Sequence, residues 1–447
     1  MSQLPRYENY KDSGVQWLGE IPSHWKCLSI KRLTLVKRGA SPRPIDNPEY
    51  FDDEGEYAWV RIADVTASDK YLLETTQRLS ELGSSLSVKM QPDSIFLSIA
   101  GSVGKPIITK VKACIHDGFV YFPDWKESIN FLYYIFASGQ PYLGLGKLGT
   151  QLNLNTDTVG NIKIALPPSD EQEAIVDFLD KRLAQVDTLI AKQETLLEKL
   201  AEQRVALISH AVTKGLNPDV EMKESGVSTL GEVPLHWEII KNKFIFDFSK
   251  GLTITKENLV DEGIPCVSYG EVHSKFGFEV DPNKHQLKCV PETYIESDEN
   301  SLLKYGDFIF ADTSEDVKGS GNFTYLNSDI PTFAGYHTII AKMSKLNNPR
   351  FLAYILDTEE HRNQIRMLIK GVKVFSITQA ILKNTFVWLP PIDEQNQIVD
   401  YLDQEVEKYQ QIGQRYELTI TRLKEYRSTL ITQVVTGKID VRNLKVN

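Results

Sequence analysis

The sequence has few cysteines, no apolar run long enough for a membrane, no phosphate-binding glycine loop and no excess of positive charge, and each lack removes a class of protein. Cys27, Cys114, Cys266 and Cys289 include no Cys-x-x-Cys pair. Four isolated thiols suit a reducing compartment and argue against a structural zinc site. No stretch approaches the roughly 20 apolar residues of a transmembrane helix. Met1 to Tyr10 lack the apolar core of an export signal, so a cytoplasmic protein with no membrane partner is expected. No G-x-G-x-x-G follows a strand-like run, and Gly104-Lys105 leads into Pro106 without the upstream glycine of a phosphate loop. Asn47-Pro-Glu-Tyr50 falls short of the Asn/Asp-Pro-Pro-aromatic loop of an amino-methyltransferase. The acids of Pro218-Asp-Val-Glu-Met-Lys223 sit in a connector, where the separated strands of a nuclease centre cannot form. Lys and Arg number 50 against 60 Asp and Glu, a net charge of -10, so nucleic-acid binding has to rest on local patches.

What the chain does contain is a long-range repeat. Leu18-Gly-Glu-Ile-Pro-Ser-His-Trp25 returns as Leu230-Gly-Glu-Val-Pro-Leu-His-Trp237, offset by 212 residues, and Leu166-Pro-Pro-Ser-Asp-Glu-Gln172 returns as Leu389-Pro-Pro-Ile-Asp-Glu-Gln395, offset by 223. The insert between these blocks is therefore longer in the second copy. A period near half the chain is too long for a solenoid, and it points to a duplicated, pseudo-two-fold molecule. The division this suggests is a first domain at 1–165 with a docking segment at 11–25, a long helix at 166–213, a connector and second docking segment at 214–237, a second domain at 238–388, a second long helix at 389–436, and a tail at 437–447 that lies near the N-terminus.

Both Leu-Pro-Pro blocks close a strand-like run and open a helix. Proline holds its predecessor extended and suits a first helical turn, while Asp170, Glu171, Asp393 and Glu394 favour a helix N-terminus. Beyond them Leu179, Leu183, Val186, Ile190, Leu197, Leu200, Leu207 and Ala211 form a heptad seam. The second copy keeps its register with Leu402, Val406, Tyr409, Gly413, Ile420, Leu423, Leu430 and Val434. Each helix of about 40 residues spans roughly 60 Å, and matching seams favour an antiparallel pair over packing on separate modules. Trp25 and Trp237 read as packing anchors, and His24 as a hydrogen-bonded structural residue. The inserts read as mixed α/β, with strands at Tyr57–Ile62, Ser94–Ser98, Phe308–Phe310 and His337–Ala341 and helices at Glu127–Ser138 and Pro349–Ile369. The fold class is thus α/β (α+β): two globular domains separated by two long antiparallel helices forming a coiled coil, pseudo-two-fold and close to circular.

From Lys26 to Ile45 the chain carries six cations and no acid, with Gly39, Pro42 and Pro44 marking its end as loop. The second copy answers after Trp237 with Lys241, Lys243, Lys250 and Lys256. A merely solvated surface is the plainer reading of any one of these residues.

Taken together, the paired Gly-Glu-x-Pro-x-His-Trp and Leu-Pro-Pro-x-Asp-Glu-Gln blocks and Ser98-Ile-Ala-Gly-Ser-Val-Gly-Lys105 resemble the specificity subunits of Type I restriction-modification systems, over nearly the whole chain. The resemblance implies two target-recognition domains, each reading one half of a split site on double-stranded DNA. It implies that the chain does no chemistry and binds no cofactor. Two methyltransferase subunits would carry S-adenosylmethionine, and restriction/translocase subunits would carry ATP and magnesium. Asp312-Thr-Ser-Glu-Asp-Val-Lys318 departs from the first copy's Ala100-Gly-Ser-Val-Gly-Lys105, which puts a shared DNA contact there in doubt. In the first domain the expected DNA-binding residues are Lys37, Arg38, Arg43, Arg61 and Lys105, with Lys147, Gln151 and Asn153 on a glycine-containing segment. In the second they are Lys250, Lys256, Lys318, Lys370 and Lys373. The alternatives are a coiled-coil scaffold that organises proteins without reading DNA, and a DNA-modifying enzyme.

Overall fold

The computed structural model describes residues 4–143, 145, 154–371 and 373–444. Two compact units divide the chain, residues 1–194 with 417–447 and residues 195–416. The division falls inside both long helices, Ser169–Lys214 and Ile392–Val435. Each helix starts where the prolines end a strand: the Pro168 carbonyl accepts from Gln172 N and the Pro391 carbonyl from Gln395 N, both at 3.0 Å. Among the described residues no helix is long and apolar enough to cross a membrane.

Within each unit the two helical segments run antiparallel. In the first, Asp187 pairs with Arg427 at 2.8 Å and Glu194 with Lys424 at 3.3 Å, one number rising as the other falls. In the second, Leu197 and Leu200 flank Gly413, while the Val212 carbonyl accepts from the Trp388 indole. The heptad seam is the least exposed line along both helices: Leu179, Leu183, Val186, Ile190, Ala211, Leu402, Val406, Ile420, Leu430 and Val434 are buried, and the remaining seam positions are half-buried.

Each insert folds into a five-stranded and a four-stranded sheet. In the first unit the larger sheet has the order Lys37–Arg38, Phe119–Tyr121, Ser94–Ser98, Pro106–Thr109, Tyr71–Leu72, and the smaller Gln77–Leu79, Tyr57–Val60, Ala113–Ile115, Val88–Met90. In the second unit the orders are Phe246–Lys250, Thr338–Met343, Phe308–Ala311, Phe323–Leu326, Phe278–Val280 and Lys288–Val290, Ile264–Val267, Thr332–Ala334, Leu302–Leu303. Order and direction agree strand for strand, with the parallel pairs at the same places. Inserts whose sequences are unlike therefore share one topology. Alternation along the central strands builds two cores per unit. Ile95 and Leu97 face the long helices with Leu179 and Val434, while Phe96 faces the smaller sheet with Val60 and Ile115. Phe308 and Phe310 repeat this against Leu402, with Ile309 turned to Val267.

Two expected elements end early, each at a cap. The strand at Tyr57 stops at Val60, because the Asp64 carboxylate accepts from Arg61 N at 2.8 Å and opens a helix at Ile62–Ala67. The helix expected over Pro349–Ile369 divides into Pro349–Asp357 and Glu359–Arg366, because Thr358 leaves the helix and its hydroxyl accepts from His361 N at 3.3 Å.

The repeated blocks meet at one carboxylate in each unit. Glu171 accepts from Trp25 Nε1 and meets His24 Nε2, both at 2.7 Å, and Glu394 does the same with Trp237 at 3.1 Å and His236 at 2.7 Å. The glutamine that follows ties the helix start to its module. Gln172 donates to Pro167 O and accepts from Ser128 N, and Gln395 donates to Pro390 O and accepts from Asn348 N, all within 3.0 Å. Ser128 and Asn348 are the N-caps of the module helices Ile129–Ala137 and Pro349–Asp357. Around Glu171 the chain ends close in as well: Tyr7 OH and Arg442 Nη1 reach it at 3.3 and 3.4 Å, and Asp440 N donates to Pro5 O at 2.8 Å.

Three expectations follow. Replacing Gly413 by Ala places a methyl group in ordinary contact with Leu197 and Leu200, at 3.7 and 3.9 Å, so Gly413→Ala raises stability by about 0.5–1 kcal/mol in urea unfolding. Glu171→Ala strands the buried Trp25 N–H and lowers stability by about 1–3 kcal/mol. The matching Glu394→Ala loses less, because Glu394 is 28% exposed against 5% for Glu171. His361 is fully buried, and burial, helped by the Arg362 charge, pushes its pKa down to about 3. Its folded value lies below the unfolded one, so its contribution is complete above about pH 6.5 and is lost as pH falls towards 3. Melting curves between pH 7 and 5 show that slope, and His361→Gln flattens it.

Candidate nucleic-acid interface

Strand registers gather the first unit's basic residues at one end of its larger sheet. Arg38 lies opposite Val120 in the middle of Phe119–Tyr121, whose Phe119 pairs with Ser98 at the end of Ser94–Ser98. The loop after that strand, Ile99 to Lys105, packs on the new helix: Gly101 abuts Ile62 and Ser102 Oγ lies 2.6 Å from Thr66 Oγ1. Arg61, preceding Ile62, thereby joins the same end. Asp117 holds the basic loop there. Its carbonyl accepts from Arg38 Nε, and its carboxylate accepts from Ser41 Oγ at 3.0 Å and Arg43 Nη2 at 3.2 Å. Partial burial pushes the Asp117 carboxyl up, but the Ser41 hydroxyl and the charges of Arg38 and Arg43 hold it below its ordinary pKa.

The expected residues separate by what their charges already touch. Lys105 donates to the carbonyls of Thr66 at 3.0 Å and Ser68 at 2.5 Å, and burial holds its pKa below the ordinary value. It closes the C-terminal end of the short helix. Arg38 and Arg43 are part-engaged by Asp117. By contrast, Lys37, Arg61, Lys250, Lys256, Lys318, Lys370 and Lys373 are exposed, and among the described residues their charged groups have no hydrogen-bonded or ionic partner. Unpaired exposed cations are free to meet phosphates. Lys147, Gln151 and Asn153 lie outside the described residues.

In the second unit Lys250 occupies the ladder place of Arg38, opposite Ile339. Thr313 and Ser314 pair with Ser376 and Phe375, and the Lys318 carbonyl accepts from Arg366 Nη2 at 2.9 Å. This folds Lys370 and Lys373 back towards Lys318. Lys256 stands apart, on a turn leading to the Val260–Cys289 bridge at the edge of the smaller sheet. The Ala100–Lys105 and Asp312–Lys318 segments follow equivalent central strands, so the place is common and the chemistry differs.

Among the clefts of each unit, one is lined by residues expected to bind DNA. The first, of 540 Å³, is lined by Ile45, Asp46, Trp59, Arg61, Gln77 and His116 among others; neither Gln77 nor His116 was anticipated from sequence. His116 Nδ1 accepts from Gly118 N at 2.8 Å, which leaves the ring proton on Nε2. Burial pushes its pKa down; Asp117 opposes this while Arg38 and Arg61 add to it, so the ring is neutral near pH 7. Gln77 Oε1 is buried without a partner. The second unit's cleft, of 470 Å³, contains His273, Lys318, Asn322, Arg362 and Arg366. There Asp357 and Glu359 already pair with the two arginines. Among the described residues no group of three or more His, Cys, Asp or Glu is placed to hold a metal ion.

Two modules of one topology, joined to antiparallel helices and carrying unpaired cations at one sheet end, define a duplicated DNA-specificity protein. The family model described as the Type I restriction modification DNA specificity domain matches residues 22–199 and 234–419. The chain belongs to that family. It is 24% identical to the Type I restriction enzyme MjaVIII specificity subunit of Methanocaldococcus jannaschii, over 99% of this chain and 98% of that protein. To the StySPI specificity subunit of Salmonella potsdam it is 22% identical, over 94% and 90%. Its fold matches a chain from a structural study of complex assembly and conformational transition in the type I R-M system, with a TM-score of 0.71, 15% identity and coverage of 94% and 99%. It also matches the HsdS subunit of Thermoanaerobacter tengcongensis, with a TM-score of 0.54, 16% identity and coverage of 94% and 98%.

Proposed function

We propose that this DNA-specificity chain acts within a cytoplasmic Type I restriction-modification complex, each module reading one half of a bipartite, asymmetric site. The observation that carries this reading is one topology presented twice with different free cations at equivalent sheet ends. Identical frames bearing different readers suit two half-sites of different sequence. Phosphate contacts from the lysines position each module, and side chains that reach base edges specify. The long helices, each with residues in both units, set the spacing of the half-sites, of the order of one DNA turn or roughly 34 Å, and dock two methyltransferase subunits. Methylation then belongs to those subunits with S-adenosylmethionine, and cleavage to restriction/translocase subunits with ATP and magnesium. A scaffold without DNA readout gives no reason for seven exposed, unpaired cations among the residues expected to bind DNA.

Exchange of residues 238–388 for the corresponding module of another family member tests the reading. In a methylation map of a host carrying the whole system, one half-site changes and the other stays. An unchanged map overturns it.

A further inference from the structure

The cleft of the first unit lies at the ends of two parallel strands, Tyr57–Val60 and Ala113–Ile115, with Gln77 directly across from Trp59. Arg61 and His116 leave those strands one residue beyond the last paired positions, Val60 and Ile115. The basic loop borders it, since Ile45 and Asp46 line its wall and Asp117, next to His116, is held by Arg38 and Arg43. A surface rich in cations therefore adjoins a recess with four polar side chains, the Asp46 carboxylate on its wall and Arg61, His116 and Gln77 at the strand ends. The Arg61 guanidinium offers donors and no acceptor, and the His116 ring offers one donor at Nε2. Gln77 offers an amide whose oxygen has no partner in the free protein.

We propose that Arg61, His116 and Gln77 read the major-groove edge of a G·C base pair in the first module's half-site. Guanine alone presents two neighbouring acceptors, O6 and N7, which match the Arg61 and His116 donors. Its cytosine presents an N4 amino donor, which meets the Gln77 oxygen once the side chain turns that buried, unpartnered atom into the recess. An adenine would place its N6 amino group against donors, leaving like groups opposed. Burial keeps His116 neutral, so the ring contributes a directed hydrogen bond and not a diffuse charge. The second unit lacks this set. At the three equivalent ladder places stand Ser268, Gly335 and Lys288, the last paired with Asp261. An added methyl group at Gly335 would lie 2.1 Å from Ser268 Oγ, so no recess opens there. The contact is specific to one half-site.

This inference rests on the proposed reading of DNA by the modules, and the experiment separates the two. The complete complex is prepared with Arg61→Ala, with Gln77→Ala and with the exchange of 238–388, and each is mapped for methylation. Arg61 is exposed, so its replacement leaves the fold intact. Both point variants are expected to relax the same G·C position in the half-site that the exchange leaves alone, with discrimination falling about ten- to a hundredfold. Single-base-pair replacements in a duplex oligonucleotide measure the same loss as binding ratios. If the exchange alters the map and the two point variants do not, the modules read DNA and the cleft does not. Relaxation at an A·T position, or an equal loss of binding to all sequences, also overturns the proposal, the latter making Arg61 a phosphate contact.

Discussion

A single carboxylate in each unit holds three parts of the chain in place. Glu171 and Glu394 stand in the first turn of a long helix, where the aligned backbone dipoles favour an anion. Each binds the His-Trp pair that ends a docking segment, and the glutamine beside each binds the start of a module helix. Helix, docking segment and module are therefore joined through two consecutive side chains. The indoles of Trp25 and Trp237 are wholly buried, so an absent carboxylate strands a donor, most severely at Trp25, whose Glu171 is only 5% exposed. Such a junction tolerates little change in residue type.

The same junction explains where the first unit gathers the chain ends. Tyr7 and Arg442 come to Glu171 from opposite termini, whereas the Lys214–Lys223 connector passes the corresponding place in the second unit without a break in the chain. Arg442 also lies 4.9 Å from the Tyr7 ring, a cation–π contact that adds to its charge pairing with Glu171. A continuous connector and two brought-together termini satisfy the same local requirement. Antiparallel seams then extend the arrangement along each helix, with Arg427 bound to Asp187 and a glycine at 413 where leucines crowd.

Legibility in the sequence follows how local the physics is. Helix starts, seam register and the two docking blocks depend on short patterns, and these were readable. A further, shorter repeat lies inside the inserts: Phe131-Leu-Tyr-Tyr-Ile135 and Phe351-Leu-Ala-Tyr-Ile355. Their tyrosines bind Asp180 and Asp403 at matching points on the long helices. That motif, inside inserts that otherwise look unrelated, carried the clue that the modules share a fold. Strands of two to six residues gave weaker patterns, and the caps at Arg61 and Thr358 ended elements that hydrophobicity alone would continue. The basic loop was visible as a charge run, yet the side chains its charges would engage were not. Lys105 looked like a free cation and is tied to two carbonyls, while Gln77 and His116 meet Arg61 only through pairing of strands remote in sequence.

Those differences explain how one frame can serve two readers. Residues at the carboxylate junction and between the sheets are buried, and changing them disturbs packing or strands polar groups. Positions at and just beyond the strand ends differ in burial between the modules, Arg61 and Lys288 being exposed, His116 and Gln77 half-buried and Ser268 and Gly335 buried, so each set is fitted to its own module. Arg61 and Ser268, His116 and Gly335, and Gln77 and Lys288 occupy equivalent ladder places with unrelated chemistry, while the strands behind them pair identically. A net charge of -10 is compatible with DNA binding for the same reason. Screening confines each charge to about 8–10 Å in physiological salt, so what a phosphate meets is the local group of lysines and arginines at the sheet end. The acids elsewhere on the chain repel a polyanion over the remaining surface, and at this range they do not cancel the local cations.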